Sequence, residues 1–194
     1  MKFSSLVIAC IMTLYLVVLS WAFVIVLVEK CFIAPMLTAL VVGAGPSGLV
    51  AAKILKENGY QVSVVEASGN IGGTFANKAY DNAELVSSKY ITSFSDFRFE
   101  SDAPDHPSLE NYVEYLGRYC TFFSLWKHIR FHSRLVRLSK RLGKHVALVE
   151  TTQDGGEGSE TTRAESEYDC VAVCSGLHDE PYIPEVLLRV PFAL

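Results

Sequence analysis

Clustered positive charge is missing from this chain. Its 194 residues carry 17 Lys and Arg against 21 Asp and Glu, a net charge of −4, with no basic run. Nucleic acid is thereby excluded as a partner, because phosphate backbones are held by grouped cations that displace counterions. Paired cysteines are missing as well. Cys10, Cys31, Cys120, Cys170 and Cys174 are odd in number and show no CxxC spacing, which argues against a zinc site and a disulfide framework. Cys170 and Cys174 stand four apart in an apolar stretch, the spacing of small buried hydrophobes on one strand face. There is no internal repeat, and no Tyr-xxx-Lys pair. His106, His128, His132, His145 and His178 are dispersed, so they read as surface or structural, and no catalytic acid, base, nucleophile or metal ligand stands out.

One stretch lacks charge altogether. From Leu6 to Val28 there is no Asp, Glu, Lys or Arg. As a helix this segment would reach about 35 Å, against a hydrocarbon core of about 30 Å. It reads as a transmembrane anchor over residues 6–28 in contact with lipid. A cleavable signal has a shorter apolar region, and no small-x-small site precedes Glu29. Lys2 on one side and Glu29-Lys30 on the other set the orientation only weakly. Met36 offers an alternative start for the folded domain, which would then be cytoplasmic.

The remainder alternates strands and helices. Ala39-Leu40-Val41-Val42 is a short apolar run ending in glycine, as in a strand buried on both faces of a parallel sheet. Pro46–Glu57 has helical spacing, with Pro46 in the first turn where a missing N–H costs nothing. Asn58-Gly59 ends it, and Gln61–Glu66 supplies the next strand, completing a βαβ unit. Ser68–Pro107 is rich in Gly, Asn, Ser and Asp, and reads as extended loops over a ligand. Ser108 is placed to cap a helix over Leu109 to about Phe123. Strands are expected near Ile129–Phe131, Leu135–Leu138 and Val146–Thr151, an exposed hairpin loop at Gln153–Glu167, and a buried strand at Asp169–Cys174.

Between the first strand and helix lies Gly43-Ala44-Gly45-Pro46-Ser47-Gly48, a GxGxxG turn, with Glu66 closing the second strand. That context is the dinucleotide-binding fingerprint. Gly43 permits the tight turn, Gly45 lets backbone approach a pyrophosphate, Gly48 lets helix and strand pack closely, and the helix N-terminus faces the phosphate charge. Glu66 is placed to accept hydrogen bonds from the adenosine ribose and would repel a 2′-phosphate, so the site should reject NADP. Gly72-Gly73-Thr74-Phe75 adds a second close backbone approach beyond the adenosine end. A simple NAD dehydrogenase more often continues into another βα unit there, and the double glycine favours a longer ligand, FAD.

These motifs, with Phe94-Ser95-Asp96-Phe97, the region Tyr115–Phe131, and Val173-Cys174-Ser175-Gly176 followed by Pro181 and Pro184, resemble the flavin-containing monooxygenases over about Leu40–Pro184. The resemblance implies an α/β fold, a Rossmann-type FAD-binding domain over 38–184 after the anchor. Gly43, Gly45, Pro46, Ser47, Gly48, Glu66, Gly72, Gly73, Thr74, Ser175 and Gly176 are its candidate cofactor contacts. It also implies that NADPH reduces FAD and that oxygen passes to a soft nucleophile such as an amine or sulfide. An anchored domain would then face the cytosol from the endoplasmic reticulum, where the reductant is found.

Two departures stand out. Val86-Ser87-Ser88 occupies the place where many members carry an asparagine near the flavin. The family's second GxGxxG, for NADPH, falls beyond Leu194, and Gly155-Gly156-Glu157-Gly158 has neither the preceding strand nor the following helix to replace it. The expectation is the FAD half of a monooxygenase, ending in a truncated apolar tail at 185–194. A membrane-tethered flavin-binding module without its own catalysis, and a short NAD-dependent oxidoreductase, are the alternatives.

Overall fold

The computed structural model describes residues 36–155 and 158–176. The 6–28 anchor, Cys10, Cys31, His178, Pro181, Pro184 and the 185–194 tail lie outside the described residues. Among the described residues no helix is long and apolar enough to cross a membrane. The chain divides after Met36, and the elements below all belong to the unit Leu37–Leu194.

The elements, in chain order, are β1 (Thr38–Val42), α1 (Pro46–Glu57), β2 (Gln61–Val65), two single-turn helices α2 (Thr74–Asn77) and α3 (Lys89–Thr92), and α4 (Leu109–Phe122). After a 3-10 turn come β3 (Ile129–Arg130), β4 (Ser133–Arg141), β5 (Lys144–Gly155), β6 (Gly158–Tyr168) and β7 (Cys170–Val173). Strands β3-β2-β1-β7 form a parallel sheet, and β4-β5-β6 an antiparallel one. The βαβ unit is therefore as the spacing predicts, with Thr38 opposite Gln61 and Val42 opposite Val65.

Strand pleat explains the layering. Successive side chains of β1 point to opposite faces, so Val41 joins the cluster formed with Leu49, Ala52, Tyr112, Leu116 and Tyr119 of α1 and α4. Leu40 goes the other way, to Ala147, Val149 and Tyr168 of the antiparallel sheet. Both residues are completely buried. The result is three layers: helices, parallel sheet, antiparallel sheet. Helix α4 begins at Ser108, whose Oγ accepts the Asn111 N–H at 3.1 Å, the cap its sequence promises.

Three expectations are corrected. Gln153–Glu167 is not a loop: all but its turn belongs to β5 and β6, paired from Gly155–Gly158 back to His145–Tyr168. Its period of two is hidden because both faces are polar. Ala164 and Ser166 oppose Val149 and Ala147 on the inner face, while outside Arg163 pairs with Glu150 at 2.7 Å, Arg137 with Glu165 at 2.9 Å and Arg141 with Glu167 at 3.1 Å. Second, β7 is the outermost strand of the parallel sheet among the described residues and only half-buried, with Val173 63% exposed; Cys170 and Cys174 are accordingly half-buried free thiols. Burial pushes the Cys174 thiol up and Cys120 up to about 12, so both are protonated side chains. Third, the loop Ser68–Pro107 contains α2 and α3, and its phenylalanines pack on α4. Phe99 stacks on Tyr115 at 4.2 Å between ring centroids, and Phe94 meets Tyr119 edge-on at 4.7 Å.

Candidate functional site

At the carboxyl ends of β1 and β2 the chain turns from strand to helix, and the three glycines of that turn differ in what their missing Cβ permits. At Gly48 a Cβ would sit 1.9 Å from the Gly43 carbonyl oxygen, so α1 could not close on the turn. At Gly43, where φ is +101°, it would meet the Cys174 carbonyl at 2.5 Å. Gly45 is different: its Cβ would find only the Gly73 Cα, at 4.0 Å. Fold packing accounts for Gly43 and Gly48 but leaves open space beside Gly45, where a ligand's backbone approach would use it.

Gly45 is also the N-cap of α1, with no side-chain cap and no acidic residue in the first turn. The leading N–H groups of a helix have no intrahelical partner, and their dipole attracts anions. Ser47 is exposed beside them, with Pro46 at N1 or N2. Gly72 and Gly73 face this terminus. The Gly72 N–H donates to the Ala44 carbonyl at 3.0 Å, fixing the second loop to the first. Gly73 has φ +57° and ψ −125°, a backbone region that side chains disfavour. Thr74 follows, exposed, at the start of α2. On the far side Ser175 Cα lies 3.6 Å from the Cβ position of Gly43, and Gly176 continues with φ +86°. The sequence-predicted residues thus gather at one end of the parallel sheet, where α/β folds bind ligands.

Glu66 is 92% buried and already engaged. Its Oε2 accepts the Ala44 N–H at 2.7 Å, and Oε1 accepts both the N–H and the hydroxyl of Ser68 at 2.8 Å. The sequence pointed to Glu66 as a contact for the ligand; its grip on the glycine turn was not foreseen. Ser68, Asn70 and Asn77 were missed. Asn77 Nδ2 donates to Ser68 Oγ at 3.2 Å and to the Gly73 carbonyl at 3.1 Å, and Asn70 Nδ2 reaches Asn77 Oδ1 at 3.3 Å. The available signal was the serine two residues after the strand-end acid.

Farther out, Val86 is 98% exposed, and the adjacent Ser87 Oγ lies 2.6 Å from Thr92 Oγ1. Buried Lys89 holds the 100–105 loop through the Ser101 carbonyl at 2.9 Å and the Ala103 carbonyl. Among the described histidines His132 borders this cluster, its backbone N–H donating to the Ser68 carbonyl at 3.0 Å and its ring lying against Gly69, while His106 and His128 lie elsewhere. His106 Nδ1 is bonded to the Leu85 carbonyl and His128 Nδ1 to the Val62 carbonyl, both at 3.2 Å. No group of His, Cys, Asp or Glu among the described residues could hold a metal.

Fold and site define a dinucleotide-binding α/β domain. The chain belongs to the flavin-binding monooxygenase-like family, whose sequence profile matches residues 38–188. The family is flavin-binding, and OTEMO, which shares the fold at TM-score 0.59 and 19% identity over 78% of this chain and 28% of that one, is solved with FAD and NADP. The uncapped helix N-terminus, the space beside Gly45 and the paired glycine loops fit the pyrophosphate of a flavin dinucleotide. Among curated relatives, monooxygenase cfoE of Aspergillus candidus is 44% identical over 75% of this chain and 25% of its own length. A decarboxylating 4-hydroxybenzoate brominase of Marinomonas mediterranea is 36% identical over 75% of this chain and 27% of its own. Flavin-containing monooxygenase 1 of Homo sapiens is 29% identical over 74% and 28%. The chain spans about a quarter of the length of these relatives. The fold is shared with the S-allyl-L-cysteine S-oxygenase of Allium sativum, at TM-score 0.67 and 22% identity over 76% of this chain and 38% of that one.

Proposed function

We propose that this chain is the FAD-holding part of an NADPH-dependent monooxygenase that oxygenates a soft nucleophile such as an amine or sulfide. The observation that carries the reading is the open α1 N-terminus beside Gly45, faced by Gly72-Gly73 and flanked by Glu66. In this role the first N–H groups of α1 and the Ser47 hydroxyl bind the pyrophosphate, Gly73 lets the chain pass close to it, and a remaining lone pair of Glu66 accepts a ribose hydroxyl. Ser175 and Gly176 border the pyrophosphate from β7. FAD when bound supplies the redox and oxygen chemistry, and the protein supplies orientation and exclusion of water.

The test is the visible spectrum of the purified chain with added FAD, followed by NADPH without oxygen. Flavin bands that stay with the protein and do not bleach are expected of an FAD half working without an NADPH site. Bleaching would place the reductant site within this chain. A protein that retains no flavin would refute the reading.

A second reading is a flavin-binding module with no oxygenation of its own. The exposed Val86 favours it, since its side chain offers no hydrogen bond where the family resemblance places an amide. The unaltered chain should then retain FAD and give no oxygenated product with any amine or sulfide tried, and product formation would sink this reading. The Leu6–Val28 segment is proposed as a lipid anchor holding the domain on the cytosolic side of the endoplasmic reticulum. A protease-protection experiment that shielded the domain would reverse that orientation, and recovery of the full chain in the soluble fraction would remove the anchor in favour of a cytoplasmic domain.

A further inference from the structure

Glu66 is usually considered by what it offers a ligand, yet here three of its hydrogen bonds are internal. A carboxylate has about four acceptor positions. Oε2 is committed to the Ala44 N–H, inside the glycine turn, and Oε1 to the N–H and hydroxyl of Ser68. The carboxylate plane is therefore fixed from both sides, and the acceptor position left over has a set direction.

The Ser68 hydroxyl has a single proton and two acceptors within reach, Glu66 Oε1 at 2.8 Å and the Asn70 carbonyl at 2.9 Å. A bond to an ionised acceptor is about twice as strong as a neutral one, so the proton lies toward Glu66. That leaves the Ser68 lone pairs to accept Asn77 Nδ2 at 3.2 Å. The same Asn77 amide nitrogen donates to the Gly73 carbonyl at 3.1 Å. One chain of hydrogen bonds thus runs from the second glycine loop through Asn77 and Ser68 to Glu66, and through Ala44 back to the first glycine turn.

We propose that Ser68 and Asn77 are positioning residues that hold the Glu66 carboxylate for the adenosine ribose and tie it to the Gly72-Gly73 loop at the pyrophosphate. Neither needs to touch the cofactor. Ser68 acts on the carboxylate directly, and Asn77 acts through Ser68. This inference rests on the FAD reading above, and it makes a claim that reading does not: losing either residue weakens recognition of the adenosine half alone.

The experiment uses the full chain with three probes: FAD, ADP and FMN, the last carrying the flavin without adenosine. S68A keeps the backbone N–H and removes the hydroxyl. It should weaken FAD and ADP alike by about tenfold, the usual effect of losing one hydrogen bond to a charged group. FMN binding should not move, the melting midpoint of the ligand-free chain should fall only by the modest amount that one internal hydrogen bond contributes, and S68T, which restores a hydroxyl, should recover the loss. N77A should show a smaller loss of the same kind, and the S68A/N77A double variant should bind no worse than S68A, because Asn77 has no route to Glu66 once Ser68 is gone. Unchanged FAD affinity in S68A, equal losses for FAD and FMN, or additive losses in the double variant would each overturn the relay. A wild-type chain that binds neither FAD nor ADP would instead refute the cofactor reading itself, and the relay with it.

Discussion

The glycine turn and the antiparallel sheet lie at opposite extremes of what a sequence can announce. In the turn, the tightest structural need is local: Gly48 must lack a Cβ because the Gly43 carbonyl lies 1.9 Å from where it would be, and only one residue type satisfies that. In the antiparallel sheet, a residue's place depends on strands far along the chain. Ala164 shares the face of Val149 because it opposes it, and Glu165 shares the other face with Arg137, which it reaches across the sheet. A local steric demand leaves a fixed letter in the sequence. A distant pairing accepts many letters, and leaves almost none.

Substitutions should magnify that contrast. The largest effect is expected at Gly48, where G48V drives a branched side chain into backbone; a loss of about 3 kcal/mol, read by urea unfolding, should come with complete loss of flavin retention. Next is L40A at the contact between the two sheets. Leu40 is fully buried against Ala147, Val149 and Tyr168, and removing its methyls should also cost about 3 kcal/mol while leaving the glycine turn able to hold FAD. A variant that lost flavin as completely as G48V would mean the antiparallel sheet shapes the site more than its position suggests.

Smaller changes probe the edges. S108A removes the cap of α4 and should cost about 1 kcal/mol. R137A cuts an exposed cross-strand pair, and a loss of no more than about 0.5 kcal/mol is expected. If R137A proved as damaging as S108A, the outer ion pairs would be holding the register that the ladder is assigned here. The last effect is one of shape. Asp169 is held down to about pKa 2, first by Lys144 and then by the Thr38 N–H. A carboxyl lowered on folding contributes stability that is present above its unfolded value, about 3.9, and fades as pH falls toward 2. The melting difference between the wild-type chain and D169N should therefore shrink across that interval and stay level above it.

What could be read beforehand follows the same division. Strand β1, helix α1, strand β2, the cap at Ser108 and the tight turn at Gly43 and Gly48 were legible from adjacent residues, although the Cys174 carbonyl that Gly43 makes room for lies far along the chain. Strand β6 was not, since Ser159 to Glu167 is nearly all polar and the face that meets the core carries Ala164 and Ser166 before its one large residue, Tyr168, at the very end. At the site, Glu66 was legible as a strand-end acid, but its bond to Ala44 was not. Ser68 and Asn77 escaped because a small polar residue in a loop carries no sign of which neighbour it will hold. The loop phenylalanines were visible as residues and misjudged in role, packing on α4 where a ligand cover was expected.

The bond from Ala44 to Glu66 has a kinetic consequence. It joins the ends of β1 and β2 at 2.7 Å, out of solvent and with protein atoms at both ends, so the seat needs no cofactor atom to hold it together. Binding to a finished seat involves no slow rearrangement, and the association rate is then set by encounter. Flavin uptake followed by stopped-flow fluorescence should accordingly rise in a single phase whose rate grows in proportion to flavin concentration, with no plateau to mark a waiting step.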